Sequence, residues 1–327
     1  MGWFVRTALV IVGATALCLP GPIVAQTPPR DSGTRRVDRT QLMRDVTTLS
    51  SPEFEGRRTG SPGSLRARQW LIDRFRDTGL SPAGTDGYLQ PFLVTRGDAM
   101  PTSDAGLEEA ARNAANVLGH VAGREAHARR LVITAHYDHL GMRDGVLYAG
   151  ADDNASGVGA LLAAASYFVR NPPRHPLLFA ALDAEEAGQR GARALLDSAL
   201  LPRGTIAMVV NLDMVSRHTG NEIFAAGTYH TPWLVPLIQD VQTRSAISIR
   251  LGHDRPSGLG GGLEDWTRSS DHRPFHEAGI PFVYFGVEDH VDYHTPSDTA
   301  ERIDFRFLGD AADMIVEAVR TFDLRVE

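Results

Sequence analysis

Two adjacent glutamates, Glu185 and Glu186, sit in the stretch LDAEEAG at residues 182–188, directly after the apolar run PLLFAA. Like charges beside an apolar core are costly unless a positive partner meets them. Residues of the same kind recur where other apolar runs end. LVITA is followed by His136, Tyr137, Asp138 and His139, IAMVVNLDM carries Asp213 near its end, and DYHTPSDT, after IPFVYFGV, holds Tyr293 and His294. The loop GADDNASG at 150–157 adds Asp152 and Asp153. One His or Asp after a strand is ordinarily a cap or a solvated loop residue. Convergence of several such ends is how a metal site is built from nitrogen and oxygen ligands. His136, Asp153, Glu186, Asp213 and His294 supply two imidazoles and three carboxylates. That is too many for one open catalytic zinc and suits two zincs sharing a carboxylate. One glutamate of the pair is then a ligand, and the other is free to move a proton.

These residues need a scaffold that brings strand ends together. SLRARQWLIDRFRDT (64–78) has helical periodicity and stops at Gly79. From residue 131 strands and helices alternate: a strand at 131–135, a helix at 157–170, a strand at 176–182, a helix at 190–200 and a strand at 206–214. A helix at 231–244, strands in ISIRL and IPFVYFGV, and a final helix at 305–322 follow. DGYLQPF and NVLGHV read as short strands. The alternation predicts an α/β fold: a doubly wound, mixed and mostly parallel central sheet with helices on both faces. Such sheets bind ligands beyond the carboxyl ends of their strands. The glycine-rich RPSGLGGGLEDW (255–266) reads as a loop.

In this order, AHYDHLG, GADDNASG, LDAEEAG, NLDM and YHTPSDT resemble the co-catalytic di-zinc aminopeptidases, the secreted bacterial leucyl-aminopeptidase type of zinc exopeptidase. The likeness covers roughly residues 115–320, and LSSPEFEGRRTGSPG (49–63) is similar to the lead-in of that family. The resemblance implies a zinc-exopeptidase fold and two Zn2+. It pairs His136 with Asp213 on one metal and Glu186 with His294 on the other, with Asp153 bridging. It also implies that Glu185 is the general base, that Asp138 orients His136, and that Tyr293 donates to a developing oxyanion. The implied reaction is hydrolysis of the first peptide bond of a peptide or protein. A carboxypeptidase, dipeptidase or amide deacylase on the same core is the alternative, with a glutaminyl-cyclase-like or non-catalytic member behind it. The residues alone leave other options open: Asp152 in place of Asp153, His139 and His290 as rival ligands, Asp183 as a structural acid, and no assigned role for Ser270-Asp271-His272.

The formal net charge of −7 argues against a general nucleic-acid partner. Arg6 followed by TALVIVGATALCL reads as an export signal over residues 1–25, too short for a spanning helix. A secreted or periplasmic protein with no stable membrane insertion is expected. The sole cysteine, Cys18, lies in that segment, so the mature chain would have neither disulfides nor thiolate ligands. Residues 26–40 read as a flexible leader and 41–327 as one catalytic domain.

Overall fold

The computed structural model describes residues 1–2, 35–94, 113–125, 128–256, 258–259 and 262–326. The chain divides into Met1–Arg30 and Asp31–Glu327. Beyond its first two residues the former lies outside the described residues, and so does the export signal read there.

The second unit is organised by one mixed sheet. Its strands are β1 (Ser81–Pro82), β2 (Leu89–Pro91), β3 (Ala115–Val121), β4 (Arg130–His136), β7 (Leu177–Leu182), β8 (Ile206–Leu212), β9 (Glu222–Ala226), β10 (Ser248–Leu251) and β11 (Phe282–Gly286). A separate hairpin joins β5 (Gly141–Arg143) to β6 (Val146–Tyr148). The main sheet runs β1-β3-β7-β4-β8-β11-β9-β10, with β2 also paired to β3. Its centre, β7-β4-β8-β11, is parallel throughout, whereas β3 against β7 and β9 against β11 are antiparallel. The mixed, mostly parallel sheet is therefore as expected.

Period-two alternation assigns the central side chains to two cores. On β7, Leu177, Phe179 and Ala181 face one cluster while Leu178, Ala180 and Leu182 face the other. The larger layer takes residues from α1 (Arg39–Leu49), α2 (Pro62–Thr78), α3 (Gly157–Arg170), α5 (Leu234–Gln242) and α7 (Phe305–Arg325). The smaller takes α4 (Arg190–Leu196) and α6 (His272–Glu277). α3 keeps the bounds read from sequence. It is apolar nearly all round because it lies between the sheet and α1 and α7.

Several expectations shift. The helix expected over 190–200 ends at Leu196, and that expected over 231–244 begins only at Leu234, beyond Pro232. The end of the stretch read as a leader is built into the body. The amides of Arg36 and Val37 donate to Asp313 Oδ1, Arg39 Nη2 donates to Asp310 and Asp313, and Val37 is buried. α1 follows at once, capped by Asp38, whose carboxylate accepts from Gln41 N.

Candidate metal centre

Parallel pairing puts the carboxyl ends of β7, β4, β8 and β11 along one edge. His136 closes β4 level with Leu182 of β7, and Asp213 follows the last residue of β8. Its amide donates to Phe285 O of β11. Asp153 enters from a tight turn, Ala151–Ser156, that leads into α3. This turn is held by Asp298, whose carboxylate accepts from the amides of Asp152 and Asp153. His294 comes from the loop beyond β11, its backbone at φ 54°.

The five expected ligands meet. His136 Nε2 lies 3.3 Å from Asp153 Oδ1 and 3.3 Å from Asp213 Oδ1. His294 Nε2 lies 3.1 Å from Asp153 Oδ2 and 3.3 Å from Glu186 Oε2. Each oxygen of Asp153 thus faces a different histidine. Two groups of atoms close enough to hold a cation share this carboxylate: His136, Asp153, Asp213 and His139, Asp153, Glu186.

His139 is the residue that composition offered but motif position did not favour. The fold brings its Nδ1 to 2.9 Å from Glu186 Oε1. That approach lacks hydrogen-bond geometry. Both ring nitrogens of His139 and Glu186 Oε1 are buried without a hydrogen-bond partner. Buried polar atoms left unpaired among converging imidazoles and carboxylates fit a divalent cation of the zinc type.

The charges are arranged for one. Burial alone would raise the carboxyl of Asp153, but His139, His136 and His294 hold it well below the usual range. Burial and the neighbouring Asp153 work against ionising Glu186, yet His139 and His294 bring it down to about 2. Burial opposes a charge on His294, but Asp153 and Glu186 raise it to about 10. Against burial, His136 and His294 are thus favoured in their protonated form by the carboxylates around them, and a metal on them would have to displace that proton.

The rivals have other work. Asp152 Oδ1 accepts from the amide and hydroxyl of Ser216, and its Oδ2 lies 3.0 Å from His290 Nε2. Asp183 accepts from Thr59 Oγ1, Tyr137 OH and the amides of Ala115 and Ala184. Asp138 does more than face His136, whose Nδ1 is 3.7 Å from its carboxylate. It also accepts from the amides of both Glu185 and Glu186. Ser270, unassigned by sequence, donates to Asp213 Oδ2 at 2.7 Å and accepts from Asn211 Nδ2, itself tied to Thr134. The signal for Ser270 is spatial: residue 270 reaches the end of β8 only through the fold.

A cavity of about 130 Å³ opens on the cluster. Glu185 and Tyr293 line it, with Glu264, Asp289, Trp266 and Tyr284 around them. Burial raises the carboxyl of Glu185 well above its ordinary range; His136 opposes this, and Asp271, Glu186 and Asp213 add to it. Gln189 Nε2 donates to Glu185 Oε1. The ring of Tyr293 stacks on His294 at 3.9 Å. A second cavity, on the other side of Glu186, is lined by Asp138, His139, Arg58 and Arg143.

Residues 116–319 match the sequence family described as Peptidase family M28. Aminopeptidase YwaD of Bacillus subtilis (strain 168) is 31% identical over 207 residues, covering 59% of this chain and 41% of that protein. A probable zinc metalloprotease of Pyrenophora tritici-repentis (strain Pt-1C-BFP) is 28% identical over 215 residues, covering 55% and 48%. The aligned part is thus less than half the length of either relative. The crystal structure of BSAP, a zinc aminopeptidase from Bacillus subtilis, superposes with a TM-score of 0.66 at 19% identity, covering 90% of this chain and 97% of that one. At that identity the likeness speaks for the fold.

Proposed function

Because this chain belongs to peptidase family M28, we propose that it is a zinc-dependent aminopeptidase, removing the first residue from peptides or proteins with a free N-terminus. The observation that carries the choice of terminus is the charge of the cavity at the cluster. Beside Glu185 it presents Glu264 and Asp289, and no arginine or lysine is among its described lining residues. An acidic wall suits an α-ammonium group, whereas a C-terminal carboxylate needs a cation to receive it.

His136, Asp153, Asp213, Glu186 and His294 would hold two zinc ions, with Asp153 between them. Zinc so held supplies Lewis acidity towards the scissile carbonyl and lowers the pKa of a bound water. Glu185 takes the proton from the attacking water and delivers it to the leaving amine. Its place on the cavity wall beside the ligand Glu186 suits a group that must hold and then release a proton. The Tyr293 hydroxyl, on a residue that lines the cavity, would donate to the carbonyl oxygen as charge develops. Asp138 fixes the Glu185–Glu186 backbone, so that one side chain faces the ligand set and the other the cavity. Export to the periplasm or medium belongs to the same proposal; among the described residues no helix is long and apolar enough to cross a membrane.

The test uses the zinc-loaded protein with a leucine-initiated peptide and its N-acetyl twin, products followed by mass spectrometry. Loss of the first residue from the free-amine peptide alone is expected. Cleavage of the blocked twin from its carboxyl end would move the carboxypeptidase reading to the front.

A further inference from the structure

Beneath the cluster lies an arginine with no exposed surface and no carboxylate in hydrogen-bond contact. Arg57 sits in the turn Pro52–Arg57, where Glu55, Gly56 and Arg57 all adopt left-handed backbone, at φ 49°, 67° and 53°. Only glycine fits at 56, since a Cβ there would come within 2.2 Å of Tyr148 O. The two non-glycine residues hold a backbone conformation that L side chains rarely adopt. The turn directs Arg57 inward, and the whole side chain is 0% exposed.

Its guanidinium donates to four backbone carbonyls. Nε reaches Tyr137 O at 2.8 Å, Nη1 reaches Leu49 O at 2.8 Å and Ala149 O at 2.7 Å, and Nη2 reaches Gly150 O at 2.8 Å. Tyr137 lies between His136 and Asp138; Ala149 and Gly150 immediately precede the turn that presents Asp153. One rigid fork therefore ties the two loops that bring His136 and Asp153 to a common point, and anchors both to the end of α1. Two residues on, Thr59 Oγ1 contacts Asp138 at 3.3 Å and Asp183 at 2.8 Å. The same segment thus holds the acid on which the Glu185 and Glu186 amides rest. A planar group with five N–H donors can hold four carbonyls in fixed relation; an ammonium with three cannot.

We propose that Arg57 is a positioning residue for the metal site: its fork sets the spacing of the His136 and Asp153 loops, so that both ligands stand ready before a metal arrives. This rests on the metal-binding reading above. Burial lowers the guanidinium pKa to about 10, with Asp153, Asp298, Asp138 and Glu186 favouring the charge, so it remains protonated at neutral pH.

The test titrates zinc into metal-free wild type and Arg57→Lys, which keeps the charge but loses the fork. Thermal midpoints are recorded with and without zinc. Zinc is expected to bind the variant about 10–100-fold more weakly, and the zinc-induced rise in midpoint should shrink accordingly. Arg74→Ala, which removes a remote ion pair with Asp45, should lower the midpoint while keeping the full zinc-induced rise. Wild-type zinc affinity in Arg57→Lys overturns the proposal, and no zinc-induced rise in wild type removes the metal reading itself. Should Arg57→Lys not fold, hydrogen exchange of metal-free wild type decides. The Arg57 Nε–H, which donates to Tyr137 O, is expected to stay protected after chelation; its loss of protection would show that metal, and not the Arg57 fork, holds these loops.

Discussion

The ligand cluster and the strap beneath it are made of similar residues under opposite rules. In the strap, Arg57 gives four hydrogen bonds and Asp183 accepts four, and neither has any exposed surface. In the cluster, His139 and Glu186 leave buried atoms unpaired, and Asp153, Glu186 and Asp213 converge against their mutual repulsion. Protein groups satisfy the first region completely. The second is left to be completed by something that binds. In this comparison missing hydrogen bonds mark the groups left to bind something, and complete ones the groups that position them.

The largest effect should separate chemistry from binding. Glu185→Gln is expected to lower kcat by about 10²–10⁴-fold while zinc content, measured by atomic absorption, stays at the wild-type value; loss of zinc would instead place Glu185 in the ligand set. Chelation comes next. Zinc at about a hundred times its Kd contributes ~2.7 kcal/mol, so a chelator should lower the thermal midpoint of loaded protein, and an unchanged midpoint would break the contrast between the two regions. Asp183→Ala removes the acceptor of the Ala115 and Ala184 amides, while Tyr137 OH keeps Ala115 O and Thr59 Oγ1 keeps Asp138; it should cost about 2–3 kcal/mol in urea unfolding, with zinc affinity falling far less than in a ligand variant. The smallest effect concerns pH in the metal-free protein. The pKa of His294 is raised from 6.5 to about 10, so its contribution is complete below 6.5 and is lost as pH rises towards 10. Asp183 and Asp271, pushed up by burial to about 7 and about 8, disfavour ionisation and act in the same direction. The midpoint of metal-free protein should therefore fall between pH 6.5 and 10. On the proposed ligand set His294 would hold metal in place of a proton, so zinc-loaded protein should show a shallower fall.

What the sequence reveals tracks how local the cause is. α3 was legible to the residue because its apolar run is bounded by glycine on one side and Asn171-Pro172 on the other. The ends of β4 and β7 were legible because burial on both faces makes these strands nearly continuously apolar, whereas β8, read to residue 214, ends at Leu212 with the polar Asn211 inside it. α1 was lost inside an arginine- and threonine-rich stretch, although Leu42, Val46 and Leu49 form its buried stripe. The β5–β6 hairpin has only three residues per strand and leaves little pattern. In the site, ligands at strand ends could be read in order. The bond from Ser270 to Asp213, the position of His139 and the fork of Arg57 arise from approach of distant segments, which no local spacing records.

The lock between Arg36 and Arg39 at the start of α1 and the last helix has a bearing on how this chain is made. Arg36 pairs with Glu317, and Arg39 with Asp310 and Asp313, across more than 270 positions. A ribosome delivers α1 long before α7, so the surface that receives it does not exist while most of the polypeptide is being synthesised. β11, the late-made neighbour of β8 in the parallel core, is likewise missing until then. Closure of the body must therefore wait for β11 and α7, residues 282–325.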